Sequence, residues 1–184
     1  PLSGCLYLFW AGAPPAVLWV WWRDGTVGSE FAAAGVLWKI AVLGVPLLLL
    51  VSAMKASQWD EFSQWLPNAA FLYRFDGFPR PELPASPSVF PAYPYGAPLA
   101  AYLVSRLAGF FVENAGGLMN LVLLLCFAPV YLDMIGRGLG RNDDWDRKWG
   151  VAALGVLGVT VLSTVFVQKL IFTAYADTPT AIVL

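Results

Sequence analysis

The sequence predicts an all-α membrane protein: a multi-spanning helical bundle with external interfacial helices and a proline-rich loop. Three observations carry this. Of 184 residues, 59% are apolar and 12% charged, with mean hydropathy +0.65, against about 25% charged in an ordinary soluble domain. The apolar residues gather in runs close to the about 20 residues that a spanning helix needs. Half of the 14 prolines fall in one stretch between those runs, residues 77–98. The net charge of −1 argues against nucleic-acid binding through a basic surface, and the apolar content excludes a disordered chain. Histidine is absent, which removes the commonest general base and metal ligand. Cys5 and Cys126 lie inside apolar runs and read as embedded small hydrophobes, not as a disulfide.

Four runs qualify as spans: Leu2–Trp22, Phe31–Met54, Gly117–Ile135 and Gly150–Phe172. Pro14 and Pro15 kink the first. Lys39 sits close enough to the start of the second to snorkel toward one surface. A fifth run, Ala97–Val112, has 16 residues and contains Arg106; by length it suits a span, a re-entrant piece or a helix along the interface. No signal-peptide pattern opens the chain. It begins at Pro1 and stops at Leu184 within a new apolar run, so residues 1–184 are expected to be one transmembrane domain fragment of a longer membrane protein.

Basic residues orient the spans. The loop Gly136–Trp149 holds Arg137, Arg141, Arg147 and Lys148, whereas the much longer Lys55–Gly96 holds only Lys55, Arg74 and Arg80. The positive-inside rule makes the first loop cytoplasmic. If Ala97–Val112 does not span, Lys55–Gly96 then lies outside, on the face that also carries Asp177. That threading is the preferred one, and it places the N-terminus outside as well.

The external segment has two parts. In Ser57–Phe75, Phe62, Trp65, Leu66, Ala69 and Tyr73 recur at helical spacing. Pro67 disfavours helix at Leu66, so two short helices are expected, the second beginning near Pro67. Their rings suit headgroup depth at a membrane interface. Gly77–Pro98 contains Pro79, Pro81, Pro84, Pro87, Pro91, Pro94 and Pro98, which forbid regular helix or central strand and imply extended backbone with turns. Its aromatics, Phe78, Phe90, Tyr93 and Tyr95, argue for a packed element over a flexible connector.

Asp60 and Glu61 follow the second span. Adjacent carboxylates repel, a setting that suits a general base or a site of hard oxygen ligands; the plain alternative is an acidic start to a helix, favoured by its dipole. Arg74, Arg106 and Lys169 are suited to a lipid phosphate, or simply to headgroup pairing and snorkelling. Asp177, before Thr178-Pro179, is a good N-cap.

The order of these features resembles the GT-C fold membrane glycosyltransferases, of the protein mannosyltransferase and aminoarabinose transferase type. The likeness rests on Trp59-Asp60-Glu61-Phe62, on Pro91-Ala92-Tyr93-Pro94-Tyr95-Gly96-Ala97-Pro98 and on Ala176-Asp177-Thr178-Pro179. The family carries an external Asp/Glu pair, a Tyr-Pro-Pro type motif, a basic cytoplasmic turn and a later external Asp-Pro type motif. This chain departs at Tyr95, where a second proline is usual, and has the additional run Leu2–Trp22 ahead of the acidic loop.

The resemblance implies inverting transfer of a sugar from a polyprenyl-linked donor to a glycan, lipid or protein acceptor on the external face. The setting it implies is multi-pass, in a bacterial inner membrane. Asp60 is then the general base and Glu61 its second or a positioning group. Arg74, Arg106, Lys169, Tyr93 and Asp177 are the substrate-binding candidates. No cofactor is assigned; a divalent metal, used by some relatives, would have to be held by oxygens here. Two rival readings remain at this stage. A transport fragment needs charges inside spans and paired broken helices, and the sequence offers only Lys39 and Lys169, both near ends. A membrane scaffold would use the aromatic, proline-rich loop as its docking surface.

Overall fold

A computed structural model describes residues 2–5, 11, 12, 15, 19, 27–92, 94–140 and 148–162. Within them the chain is helical, with no strand: α1 (Val27–Ala53), a π-helix (Glu61–Trp65), α2 (Leu66–Phe75), α3 (Gly96–Ala108), α4 (Ala115–Gly138) and α5 (Trp149–Val159). The chain divides into two compact units. One takes residues 1–28 and 55–116, the other residues 29–54 and 117–184.

The second unit is built on α1, α4 and α5. Two of its helical stretches, Val36–Ala53 and Ala115–Gly138, are long and apolar enough to cross a membrane. Only 22% and 33% of them is buried, so apolar side chains lie on the outside as well as the inside, the pattern of a helix without a polar face. The core joins Val36, Ile40 and Val51 of α1, Leu121, Leu124, Ala128 and Leu132 of α4, and Ala152, Val156 and Val159 of α5. Glycines allow the close approaches: a Cβ at Gly44 would lie 2.5 Å from Leu125 Cδ1, and one at Gly155 2.7 Å from Leu132 Cδ1. Small residues at helix contacts are the usual device where burial of apolar surface does not by itself drive association. Lys39, expected to snorkel, rests its ammonium 5.9 Å from the Trp149 ring centre, and Trp149 meets Trp38 edge-on at 4.8 Å.

The apolar run Gly150–Phe172 is helical from Trp149 to Val159 and then turns at Thr160. There the Thr160 hydroxyl donates to the Val156 carbonyl at 2.5 Å. Residues beyond 162, most of Leu2–Trp22, Tyr93, Arg141, Arg147, Lys169 and Asp177 lie outside the described residues.

The first unit packs α2 on α3. Asn68, Ala69, Phe71 and Leu72 face inward from α2; Ala97, Ala101, Tyr102 and Ser105 do so from α3. Ala69, Ala101 and Ala115 form a small apolar core under Phe111 and Val112. α3 has 13 residues and rises about 20 Å, short of the about 30 Å hydrocarbon layer. It stops at Gly109, whose φ of 78° is the left-handed conformation that favours glycine. The Ser105 hydroxyl accepts the Val112 N–H at 2.9 Å and fixes the turn that follows.

The apolar stripe of Ser57–Phe75 turns out divided. Trp65 and Ala69 are buried within the unit, whereas Phe62 is exposed. The wider i→i+5 turn of the π-helix shifts the phase of the stripe at this point. Most of it therefore packs on protein where a membrane interface was expected.

Candidate functional site

Pro67 organises the site. It has no N–H to give to the Ser63 carbonyl one turn back. That carbonyl instead accepts the Val89 N–H at 2.8 Å and the Ser88 hydroxyl at 3.3 Å. The helical backbone runs unbroken from the π-helix through Leu66, where Pro67 was expected to disfavour helix, and the carbonyl that Pro67 leaves unpaired within the helix becomes the anchor of the proline-rich loop. Asn68, fully buried, extends the anchor: its Oδ1 accepts the Ser86 hydroxyl at 3.0 Å and its Nδ2 donates to the Phe90 carbonyl at 3.4 Å. The Tyr95 phenol donates to the Pro91 carbonyl at 3.0 Å, and its ring stands edge-on to Phe78 at 5.2 Å. Burial pushes that phenol above its usual titration range. The loop is tied to α2 by these bonds, while of its aromatics Phe78 and Phe90 are exposed and Tyr95 is half-buried.

At the start of the π-helix the two adjacent carboxylates are parted. Glu61 is buried, and its Oε2 accepts the Ser57 N–H at 2.8 Å and the Gln58 N–H at 3.0 Å. It serves the backbone. Asp60 is half-buried at the N-terminal edge of the π-helix and caps nothing there with its side chain. Helix irregularities of this kind are frequent at functional sites. Among the described residues no group of three or more His, Cys, Asp or Glu side chains converges as a metal site.

A pocket of about 440 Å³ opens beside α2, lined by Ala70, Phe71, Arg74, Phe75, Pro84, Ala85 and Pro87. Its walls are apolar apart from Arg74, which is exposed and lies 5.4 Å from the Phe75 ring centre. An apolar trough with one guanidinium at its edge suits an amphiphile with an anionic head.

Arg106 is placed differently. Its Nη2 donates to the Tyr73 carbonyl at 2.8 Å, sits 3.7 Å from Asp76 Oδ1, and its guanidinium lies 5.0 and 5.4 Å from the Tyr73 and Tyr102 ring centres. Asp76 is the centre of this cluster and was not singled out from the sequence. It ends α2 with a left-handed φ of 50°, which aspartate tolerates better than most residues. Its carboxylate accepts the Ser3 N–H at 2.8 Å, the Ser3 hydroxyl at 2.5 Å and the Tyr102 phenol. Burial alone would raise that carboxyl, but the bonds from Ser3 and Tyr102, with the Arg106 charge, hold it below the usual carboxylate range. The Tyr102 phenol is pushed up to about 12 by burial and by its bond to Asp76. The available signal was Asp76-Gly77 at a helix end, with Tyr102 and Arg106 one turn apart. Glu113, also unanticipated, accepts the Ala56 N–H at 3.0 Å.

The structure therefore sets Asp60, Glu61, Arg74 and Arg106 in one unit, with Glu61 and Arg106 engaged in hydrogen bonds, Asp60 half-buried and Arg74 exposed. No protein-family model, curated protein or solved structure matches the chain.

Proposed function

We propose that this chain is part of a multi-spanning membrane glycosyltransferase that moves a sugar from a polyprenyl-phosphate-linked donor to an acceptor hydroxyl on the external face. The observation that carries the reading is the division of labour between Asp60 and Glu61. Burial and two backbone N–H donors occupy Glu61, which leaves Asp60 as the carboxylate free to take a proton from a bound substrate. The Arg74 pocket adds support, because a lipid phosphate needs a cation beside apolar walls.

In the proposed step the acceptor oxygen attacks the anomeric carbon from the side opposite the phosphate. The carbon–phosphate oxygen bond breaks, and its electron pair leaves on the phosphate. The acceptor proton passes to the Asp60 carboxylate. Positive charge at the leaving oxygen lowers the barrier, a role assigned to Arg74, with Lys169 as a further candidate. Arg106 is given a positioning role through Tyr73 and Asp76. Tyr93 and Asp177 stay in the proposal as acceptor- or donor-binding residues by their motifs.

The test is sugar transfer from a polyprenyl-phosphate donor by the full-length protein. Asp60→Asn is expected to abolish transfer and leave expression, insertion and thermal stability intact. Full activity in that variant would sink the assignment of the base. Glu61→Gln is expected to act through the fold, lowering stability by about 1–3 kcal/mol through loss of charge-assisted bonds to two backbone donors.

A further inference from the structure

We propose that Ser86 and Asn68 are positioning residues that set the width of the Arg74 pocket, and that the pocket so held selects a branched prenyl chain over a straight acyl chain beside an anionic head. The inference rests on the reading that a lipid phosphate sits at Arg74.

The pocket has a floor and a wall of different make. Ala70, Phe71, Arg74 and Phe75 form the floor; spaced i, i+4 in two adjoining rows of α2, they run along about 8 Å of helix. Pro84, Ala85 and Pro87 form the wall. Both present stiff faces. Proline fixes its own backbone φ, and the Phe71 and Phe75 rings pack together with centres 4.7 Å apart. A volume of about 440 Å³ over so short a floor makes the pocket about as wide as it is long. An extended methylene chain is too thin to fill that space and would forfeit contacts along its sides, whereas methyl branches reach them. Arg74 is exposed at the edge and makes no salt bridge among the described residues, so its charge is available to the head.

The residues between and beside the wall positions hold the wall in place. The Ser86 hydroxyl donates to Asn68 Oδ1 at 3.0 Å and accepts the Ser88 N–H at 3.2 Å. The Ser88 hydroxyl in turn reaches the Ser63 carbonyl at 3.3 Å. Asn68 is fully buried and belongs to α2 itself, one turn before Phe71, so the wall is registered directly against the floor. Ser86 and Ser88 thus engage the helical segment, while Pro84, Ala85 and Pro87 stay exposed to a ligand.

The experiment uses the full-length protein in phosphatidylcholine nanodiscs, photolabelled with a benzophenone-bearing farnesyl phosphate. Unlabelled farnesyl phosphate and dodecyl phosphate, equal in main-chain length and different in branching and unsaturation, compete for the site. Label within residues 70–87 is read by mass spectrometry. In the wild type, farnesyl phosphate is expected to block labelling at about 10-fold lower concentration than dodecyl phosphate. Ser86→Ala should bring that ratio toward one, and Ser86→Thr, which keeps the hydroxyl, should restore it. Partition of the two phosphates into the bilayer is common to all variants and cancels in the comparison. Arg74→Gln should weaken blocking by both phosphates alike. An unchanged ratio in Ser86→Ala overturns the positioning role, and a wild-type ratio of one overturns the selection of a branched chain. Blocking by neither phosphate, with sugar transfer intact, overturns the pocket inference and leaves the transferase reading standing. The expected ratios in a protein that transfers no sugar remove the transferase reading and keep the prenyl phosphate site.

Discussion

The Asp76 carboxylate takes bonds from the Ser3 amide, the Ser3 hydroxyl and the Tyr102 phenol, with the Arg106 guanidinium 3.7 Å away. It ties residues 2 and 3 to the end of α2 and the middle of α3, and the Leu2 N–H donates to its carbonyl at 3.0 Å. A carboxyl held below its ordinary value of 3.8 stabilises the fold fully above 3.8 and loses that contribution as the pH falls through its lower folded value. Acidification should therefore release residues 2–5 before the helices melt, seen as faster amide exchange at Ser3. Asp76→Asn is expected to cost about 2 kcal/mol and to flatten this acid response; an unchanged acid limb in the variant would count against the latch. Alkali acts through Tyr102: between 10.0 and about 12 the unfolded chain releases that proton and the folded chain keeps it, so stability falls across this window. None of this was legible beforehand, because a lone Asp-Gly at a helix end gives a turn and says nothing about what its side chain will meet.

Single residues also set what the elements do. Pro67 removes one N–H and thereby gives the Ser63 carbonyl to Val89 and Ser88. Pro67→Ala restores a donor in competition for that carbonyl, and it is expected to speed hydrogen exchange at the Val89 amide with α2 itself retained; unchanged exchange there would show that the loop does not depend on the proline. In the apolar unit, α5 lies against Leu132 with no room for a Cβ at Gly155. Gly155→Val should cost about 1–3 kcal/mol by overpacking, whereas a valine at Gly150, where a Cβ has nothing within 4 Å, should be tolerated; thermal melts of the two variants compare them. The hydrogen bond lost at Pro67 and the long apolar helices were readable in the sequence, because both follow from local rules of hydrogen bonding and length, whereas the interruption expected at Leu66 is absent, its backbone staying helical. The destination of the Trp65–Ala69 stripe was not, because periodicity marks an apolar face without saying whether lipid or protein covers it. Asp60 and Glu61 were legible as a pair, and only the backbone around Ser57 and Gln58 tells them apart.

For the molecule as a whole, threading through a membrane follows from counting helices of sufficient length. If α1 and α4 both cross a bilayer, as the proposed function requires, and α3 is too short to cross, residues 55–114 fall on one side and the loop after Gly138 on the other. On that reading the basic residues of the loop assign its side to the cytoplasm; within α4 Arg137 pairs with Asp133 at 2.8 Å as the helix ends. Cysteine labelling in sealed vesicles tests this directly. Ser88 lies on the proline-rich loop but is buried, so the exposed neighbour Ala85 reports for the loop and Asn142 reports for the basic turn. In a chain without Cys5 and Cys126, Ala85→Cys should react with an impermeant maleimide added outside cells, and Asn142→Cys only after the membrane is opened. Reaction of both from the same side would require α3 to cross or α4 not to, and either result would move Asp60 and Arg74 away from the face on which transfer is proposed.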